Sequence, residues 1–162
     1  MTEKKERKMA DRASELKKIY KITAGMGWMM AACVPVYAVI IEYLVRAVGL
    51  EGFEFAFPGA ETAKYVFIVF SVSCYILILK IKKRSYAKTA SLPPEKLPAA
   101  VSRLYHSSVI IFALCESAAV LGIIIFFLTG DRQDFYMFAA VSVLYFIIFF
   151  PKFAEWKALL KI

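Results

Sequence analysis

The sequence predicts an all-α membrane protein: a four-transmembrane-helix bundle built from two tandem helical hairpins, with both termini cytoplasmic. Three observations predict it. First, 60% of the 162 residues are hydrophobic, above the roughly half found in soluble domains. Second, the excess lies in four blocks, about 22–48, 65–79, 107–128 and 135–150. Each is close to the ~20 apolar residues that a helix needs to span a bilayer. Third, lysine and arginine are segregated by loop. Strands are excluded, because open β edges cannot satisfy their backbone groups in lipid and a closed barrel needs roughly eight or more alternating strands.

Residues 1–21 form a basic, helix-prone tail in which Met9, Ala13, Leu16 and Tyr20 recur at helical spacing. That narrow apolar stripe predicts an amphipathic helix on the cytoplasmic surface, and a partner-binding helix would carry the same pattern. No secretory signal is expected, since about 20 polar residues precede the first apolar run. In the first block, Met26, Met29 and Met30 near Trp28 read as core packing. Gly25-x-Gly27 reads as a helix-packing feature, and Glu42 and Arg46 as a pair one turn apart. The following loop contains GFEFAFPG (Gly52–Gly59). Its alternating Phe53, Phe55 and Phe57 predict an interfacial anchor, with a docking surface as the sharper alternative.

Beyond the second block, SLPPEKLP (Ser91–Pro98) carries three prolines and predicts a non-helical link between two halves. His106 stands at the start of the third block as a boundary residue, with no metal set to complete it. The fourth block ends at Pro151. Residues 151–162 predict an interfacial amphipathic helix with Phe153, Trp156 and Leu160 on one face and Trp156 as its anchor. The membrane domain is thus 22–150, flanked by the two tails.

The net charge of +8 is distributed by side. Basic residues crowd the N-terminal tail, the link from Lys80 to Arg103, and Lys152, Lys157 and Lys161. The other two loops hold only Arg46, Lys64 and Arg132, beside the acids Glu51, Glu54, Glu61, Asp131 and Asp134. Positive charge is retained in the cytoplasm, so the termini and central link belong there, and a prokaryotic cytoplasmic membrane is the expected location. The basic excess then follows from topology and anionic headgroups, and no nucleic-acid motif accompanies it. Cys33, Cys74 and Cys115 lie inside helices with no C-x-x-C, which reads as packing and not as redox chemistry.

The halves resemble each other. Pro35–Leu44 overlay Ala119–Leu128, and Val66–Leu79 overlay Met137–Phe150, which makes a parallel tandem repeat of hairpins. Ala32 then corresponds to Glu116, so only the second copy carries a carboxyl.

Glu116 is the only charged residue between Val109 and Leu128. On a helical wheel Ser108, Cys115, Ala118, Ala119 and Gly122 form a small-residue seam suited to close helix approach. Ile110, Leu114, Leu121, Ile124 and Leu128 lie opposite. Glu116 sits at the border and should point into a helix contact. With no lysine or arginine at its depth, the neutral acid is favoured. A neutral acid must donate a hydrogen bond. Ser71, Ser73 and Ser142, or the Ala31 carbonyl that Pro35 leaves without its amide donor, are candidate acceptors.

CESAAVLGIII (Cys115–Ile125) resembles the carboxyl-bearing helix of rotor-ring c subunits, the proteolipids of F-type and V-type ATPases. Glu116, Gly122, Ile123, Ile124 and Ile125 carry the resemblance, and the duplicated hairpin is similar to the V-type proteolipids. The resemblance implies that Glu116 binds an ion or proton in an oligomeric ring. In that family the carboxyl lies on the second helix of a hairpin, whereas here it lies on the first, and the family's glycine-rich helix has no counterpart.

No nucleophile–base pair, metal set or phosphate loop is present, so the expectation is a non-enzymatic membrane protein without cofactor. It would be an accessory or oligomeric component of a membrane complex, self-associated or joined to other membrane subunits through the small face of its third helix. The alternative is a small proton or cation conductor using Glu116.

Overall fold

The computed structural model describes residues 2–49, 59–93 and 96–160, with side chains of the first helix described from Arg12 on. Five helices follow in order: α1 (Thr2–Val48), α2 (Ala60–Ala90), α3 (Leu97–Thr129), α4 (Arg132–Phe149) and α5 (Phe153–Leu160). No strand occurs among the described residues. The first four helices are long and apolar enough to cross a membrane. Phe53, Phe55 and Phe57, expected as interfacial anchors, lie outside the described residues.

Three helices reach well beyond their apolar blocks. At 1.5 Å per residue, α1, α2 and α3 are roughly 70, 46 and 50 Å long, whereas α4 is about 27 Å, close to the hydrocarbon thickness. The tail 1–21 is therefore no separate surface helix: from Thr2 it runs unbroken into α1, through Pro35. The link between halves is also shorter than the three prolines suggest. Leu97 opens α3, with Pro98 in its first turn, where a missing amide hydrogen leaves no carbonyl unsatisfied. His106 lies well inside α3 and does not begin it.

The overhangs meet at one end, here called the basic end. There Leu16, Leu97, Val101, Leu104 and Trp156 form a buried cluster, with Tyr20, Tyr86 and Phe153 packed around it. Trp156 is fully buried, held edge-on by Tyr20 at 5.6 Å, and the Tyr20 hydroxyl donates to the Pro151 carbonyl. The expectation of Trp156 as a membrane-interface anchor is thus corrected. Leu16 and Tyr20 of the N-terminal stripe supply the surface that covers it, so the two tails partner each other there.

α3 is the central element and packs on α4, α2 and α1. Its turn to α4 is two residues long. Gly130 takes a left-handed φ of 71° and returns its N–H to the Phe126 carbonyl, a helix stop that glycine adopts without Cβ strain. Asp131 then caps α4 by accepting from the Gln133 N–H at 2.7 Å. α1 and α3 run parallel in a single contact register. Tyr105 meets the Met26 sulfur and Tyr37 meets Glu116, each pair separated by 79 positions.

The packing is inside-out relative to a water-soluble protein. Large apolar side chains face outward, among them Trp28, Met29, Val39, Val69 and Ile147. Reading Trp28 and Met29 as core is corrected accordingly, while Met30 does pack on the core cluster. Gly27 marks a close approach: a Cβ there would stand 2.6 Å from the Phe112 ring. Gly25 faces open space.

Candidate functional site

The site is built where α1 and α3 pass. Glu116 is half-buried at the edge of the α3 contact face, as its place on the wheel requires. On one flank, Ser108, Cys115, Ala118, Ala119 and Gly122 are all buried. A Cβ on Gly122 would lie 2.9 Å from the Phe138 Cβ and 3.1 Å from the Phe135 carbonyl oxygen, so the α3–α4 contact needs a glycine. Ser142 of α4 closes the same contact by donating to the Cys115 carbonyl at 2.8 Å. The seam is therefore occupied within the chain by α4. Self-association through the small face of the third helix is corrected on that ground.

The hydrogen-bond partner of Glu116 is Tyr37, whose hydroxyl donates to Oε1 at 2.6 Å. The four acceptors read from the sequence serve otherwise or stand apart. Ser73 donates to the Val69 carbonyl, Ser142 to Cys115, and the Ser71 hydroxyl is buried without a partner. Ser71 contributes its carbonyl instead, which accepts from Tyr145. No bond from Glu116 to the Ala31 carbonyl accompanies the tyrosine contact.

The miss has a geometric cause. Overlaying the two halves sets Ala32 against Glu116, but similarity between apolar helices does not fix their axial stagger. The helices settle with Tyr37, more than one turn farther along, at the level of the carboxyl. The available signal was Tyr37 itself, a hydroxyl in an apolar run that must find a partner when it is not at the water boundary.

On its other flank Glu116 borders a crevice of about 300 Å³ lined by Met30, Phe70, Ala113, Ser117, Val120 and Leu121. The lining comes from α1, α2 and α3. Ser117 donates to the Leu114 carbonyl at 2.7 Å and its oxygen lies 3.8 Å from the Cys74 sulfur. All three cysteines are free thiols, and Cys74 and Cys115 are buried.

Two other tyrosine–glutamate contacts join helices, and both include a cation. Tyr136 of α4 donates to Glu42 of α1 at 2.7 Å, and Arg46 pairs with the same carboxylate at 3.0 Å. Tyr86 of α2 donates to Glu155 of α5 at 2.9 Å, with Lys82 at 3.2 Å. Burial alone raises the Glu155 carboxyl, and the Tyr86 hydroxyl and the Lys82 ammonium together bring it below its ordinary range. Lys64 and the buried Asp134 form a further pair between α2 and α4. Among the described residues no lysine or arginine is paired with Glu116, and no group of three histidine, cysteine or acidic side chains could hold a metal.

Comparison with known protein families, with characterised proteins and with solved structures finds no match.

Proposed function

We propose that the chain is a non-enzymatic integral membrane protein, an accessory or oligomeric component of a membrane complex, latched by a neutral intramembrane carboxyl. The observation that carries this reading is the Tyr37–Glu116 bond joining α1 to α3 without the cation that attends Glu42 and Glu155. Burying a lone carboxylate is far more costly than burying a hydrogen-bonded acid. The Tyr37 hydroxyl donates to Glu116 Oε1 at 2.6 Å and answers the carboxyl from across the α1–α3 contact. Such a bond stabilises a helix pair by on the order of 1 kcal/mol.

The four long helices are proposed to form a transmembrane bundle of two tandem hairpins with both termini in the cytoplasm. The separation of charge supports it: Lys82, Lys83, Arg84, Lys88, Arg103, Lys152 and Lys157 belong to the basic end, while Asp131 and Asp134 belong to the other. Association would use α1 and α2. Only 17% of each of their apolar windows is buried, against 44% for α3 and α4, so the uncovered surface lies on the first hairpin.

A second reading, a proton or cation conductor of the proteolipid kind, draws on the crevice beside Glu116, through which an ion could reach the carboxyl. Glu116→Gln divides the two, since it keeps shape and hydrogen bonding and removes ionisation. The latch predicts equal pH-driven flux in proteoliposomes for both forms. It also predicts an unchanged detergent-particle mass with Gln and an altered one with Ala. Flux abolished by Gln would replace the latch with the conductor.

A further inference from the structure

The α2–α3 crevice at the basic end is graded from apolar to cationic along its length. It encloses about 540 Å³ and is lined by Ile81, Arg84, Ser85 and Lys88 of α2 and by Ser102, Arg103, His106, Ser107 and Ile110 of α3, with Ala99 at its rim. The helices are antiparallel here, and Ser85 donates to Ser107 across the contact at 2.9 Å, which fixes their levels. Ile81 and Ile110 share the deep end, Arg84 and His106 follow, and Lys88 and Arg103 share the mouth. The Arg103 guanidinium donates to the Lys88 carbonyl at 3.2 Å.

The deep end lies at the edge of the membrane-sized helix. Phe112 stacks on Phe146 and touches Phe150, at the last turn of α4. Ile110 is half a turn from that level and half exposed, whereas His106 stands about 9 Å toward the basic end. The crevice therefore crosses the level where hydrocarbon gives way to headgroups, given that the basic end borders the membrane.

Three permanent cations and a histidine line this cleft, and among the described residues that line it there is no acid. Lys82, one turn from Ser85 on the same helix, is by contrast paired with Glu155. The His106 Nδ1–H is committed to the Ser102 carbonyl at 2.7 Å, which leaves Nε2 as the ring's remaining polar atom. Like charges gathered in one cleft repel one another, and an anion relieves that repulsion. Basic clefts between membrane helices on the cytoplasmic side suit anionic headgroups.

We propose that this crevice is a binding site for an anionic phospholipid. The phosphate lies among Arg84, Lys88, Arg103 and His106, and an acyl chain descends along Ile81 and Ile110. Arginine favours phosphate through its planar pair of donors, and the isoleucines favour a lipid over a free phosphate.

Native mass spectrometry of the full chain in a neutral detergent tests it, with dioctanoyl phosphatidylglycerol, dioctanoyl phosphatidylcholine and inorganic phosphate as probes. The glycerol lipid should bind about tenfold more tightly than the choline lipid. Arg84→Gln with Lys88→Gln should remove that preference; both side chains are exposed, so the fold survives. Arg84→Lys with Lys88→Arg should retain it. Lys17→Gln with Lys18→Gln removes the same charge elsewhere at this end and should leave it unchanged. Equal binding of the two lipids, or an equal loss in the Lys17 and Lys18 variant, would overturn the site. Inorganic phosphate binding as tightly as the lipid would overturn the lipid as its occupant.

Discussion

Tyr37–Glu116 and Tyr86–Glu155 are the same chemical pair in two settings. Near the basic end, Glu155 has a tyrosine hydroxyl at 2.9 Å and a lysine at 3.2 Å, so its charge is answered twice. Between α1 and α3, Glu116 has a tyrosine at 2.6 Å and no cation. The difference teaches what each contact is for. With a cation, the tyrosine adds to an ion pair that solvent screens and that holds little by itself. Without one, the hydroxyl is the polar partner that the structure gives Glu116 among apolar helices.

The sharpest way to break the comparison is at the basic end. Trp156→Ala empties the cluster that positions Glu155 and should cost about 3–5 kcal/mol. Tail contacts should loosen in hydrogen exchange while the amides around Glu116 keep their protection. If protection fell equally in both places, the two settings would not be separable. Next is Gly122→Ala. Its Cβ meets the Phe138 Cβ and the Phe135 carbonyl, and overpacking of this kind costs about 1–3 kcal/mol. Thermal unfolding in detergent should show that loss, and Ser117→Ala, off the seam, should not.

Tyr37→Phe removes one hydrogen bond and should lower stability by about 1 kcal/mol in the same assay. Tyr86→Phe leaves Lys82 in place and should have a smaller effect. The smallest change concerns pH. The folded-state value for Glu155 is lowered, so its contribution is complete above the ordinary carboxylate range and fades as pH falls through the lowered value. Solvent screening holds it to a few tenths of a kcal/mol. Acid titration of the Lys82→Ala variant should lack this shallow step, and Glu116→Gln should keep it.

The four spans were legible because hydropathy reports lipid contact, and the outward faces of α1 and α2 are almost wholly lipid-sized side chains. The border position of Glu116 was legible for a related reason: small residues on one flank and isoleucines on the other mark packing and lipid. What stayed hidden is what hydropathy does not measure. The overhangs pack on the Trp156 cluster through a few residues, Leu16, Tyr20 and Tyr86, and a hydropathy window does not register so narrow a stripe. Trp156 looks identical as a membrane anchor and as a core residue; Leu16, far away in the chain, decides between them. Tyr37 was hidden by axial stagger, which depends on how Phe112 and Phe150 fill the space at Gly27 and not on any local pattern. Trp28 and Met29 misled because an apolar residue in a membrane helix is as content facing lipid as facing protein.

The central proposal is that Glu116, latched by Tyr37, carries its proton. Infrared difference spectra of the reconstituted protein at neutral pH, wild type minus Glu116→Gln, test it most directly. The account predicts a protonated-carboxyl band that is present in the wild type, absent in the Gln variant and shifted by Tyr37→Phe. A difference spectrum showing only carboxylate bands, unmoved by Tyr37→Phe, would contradict it.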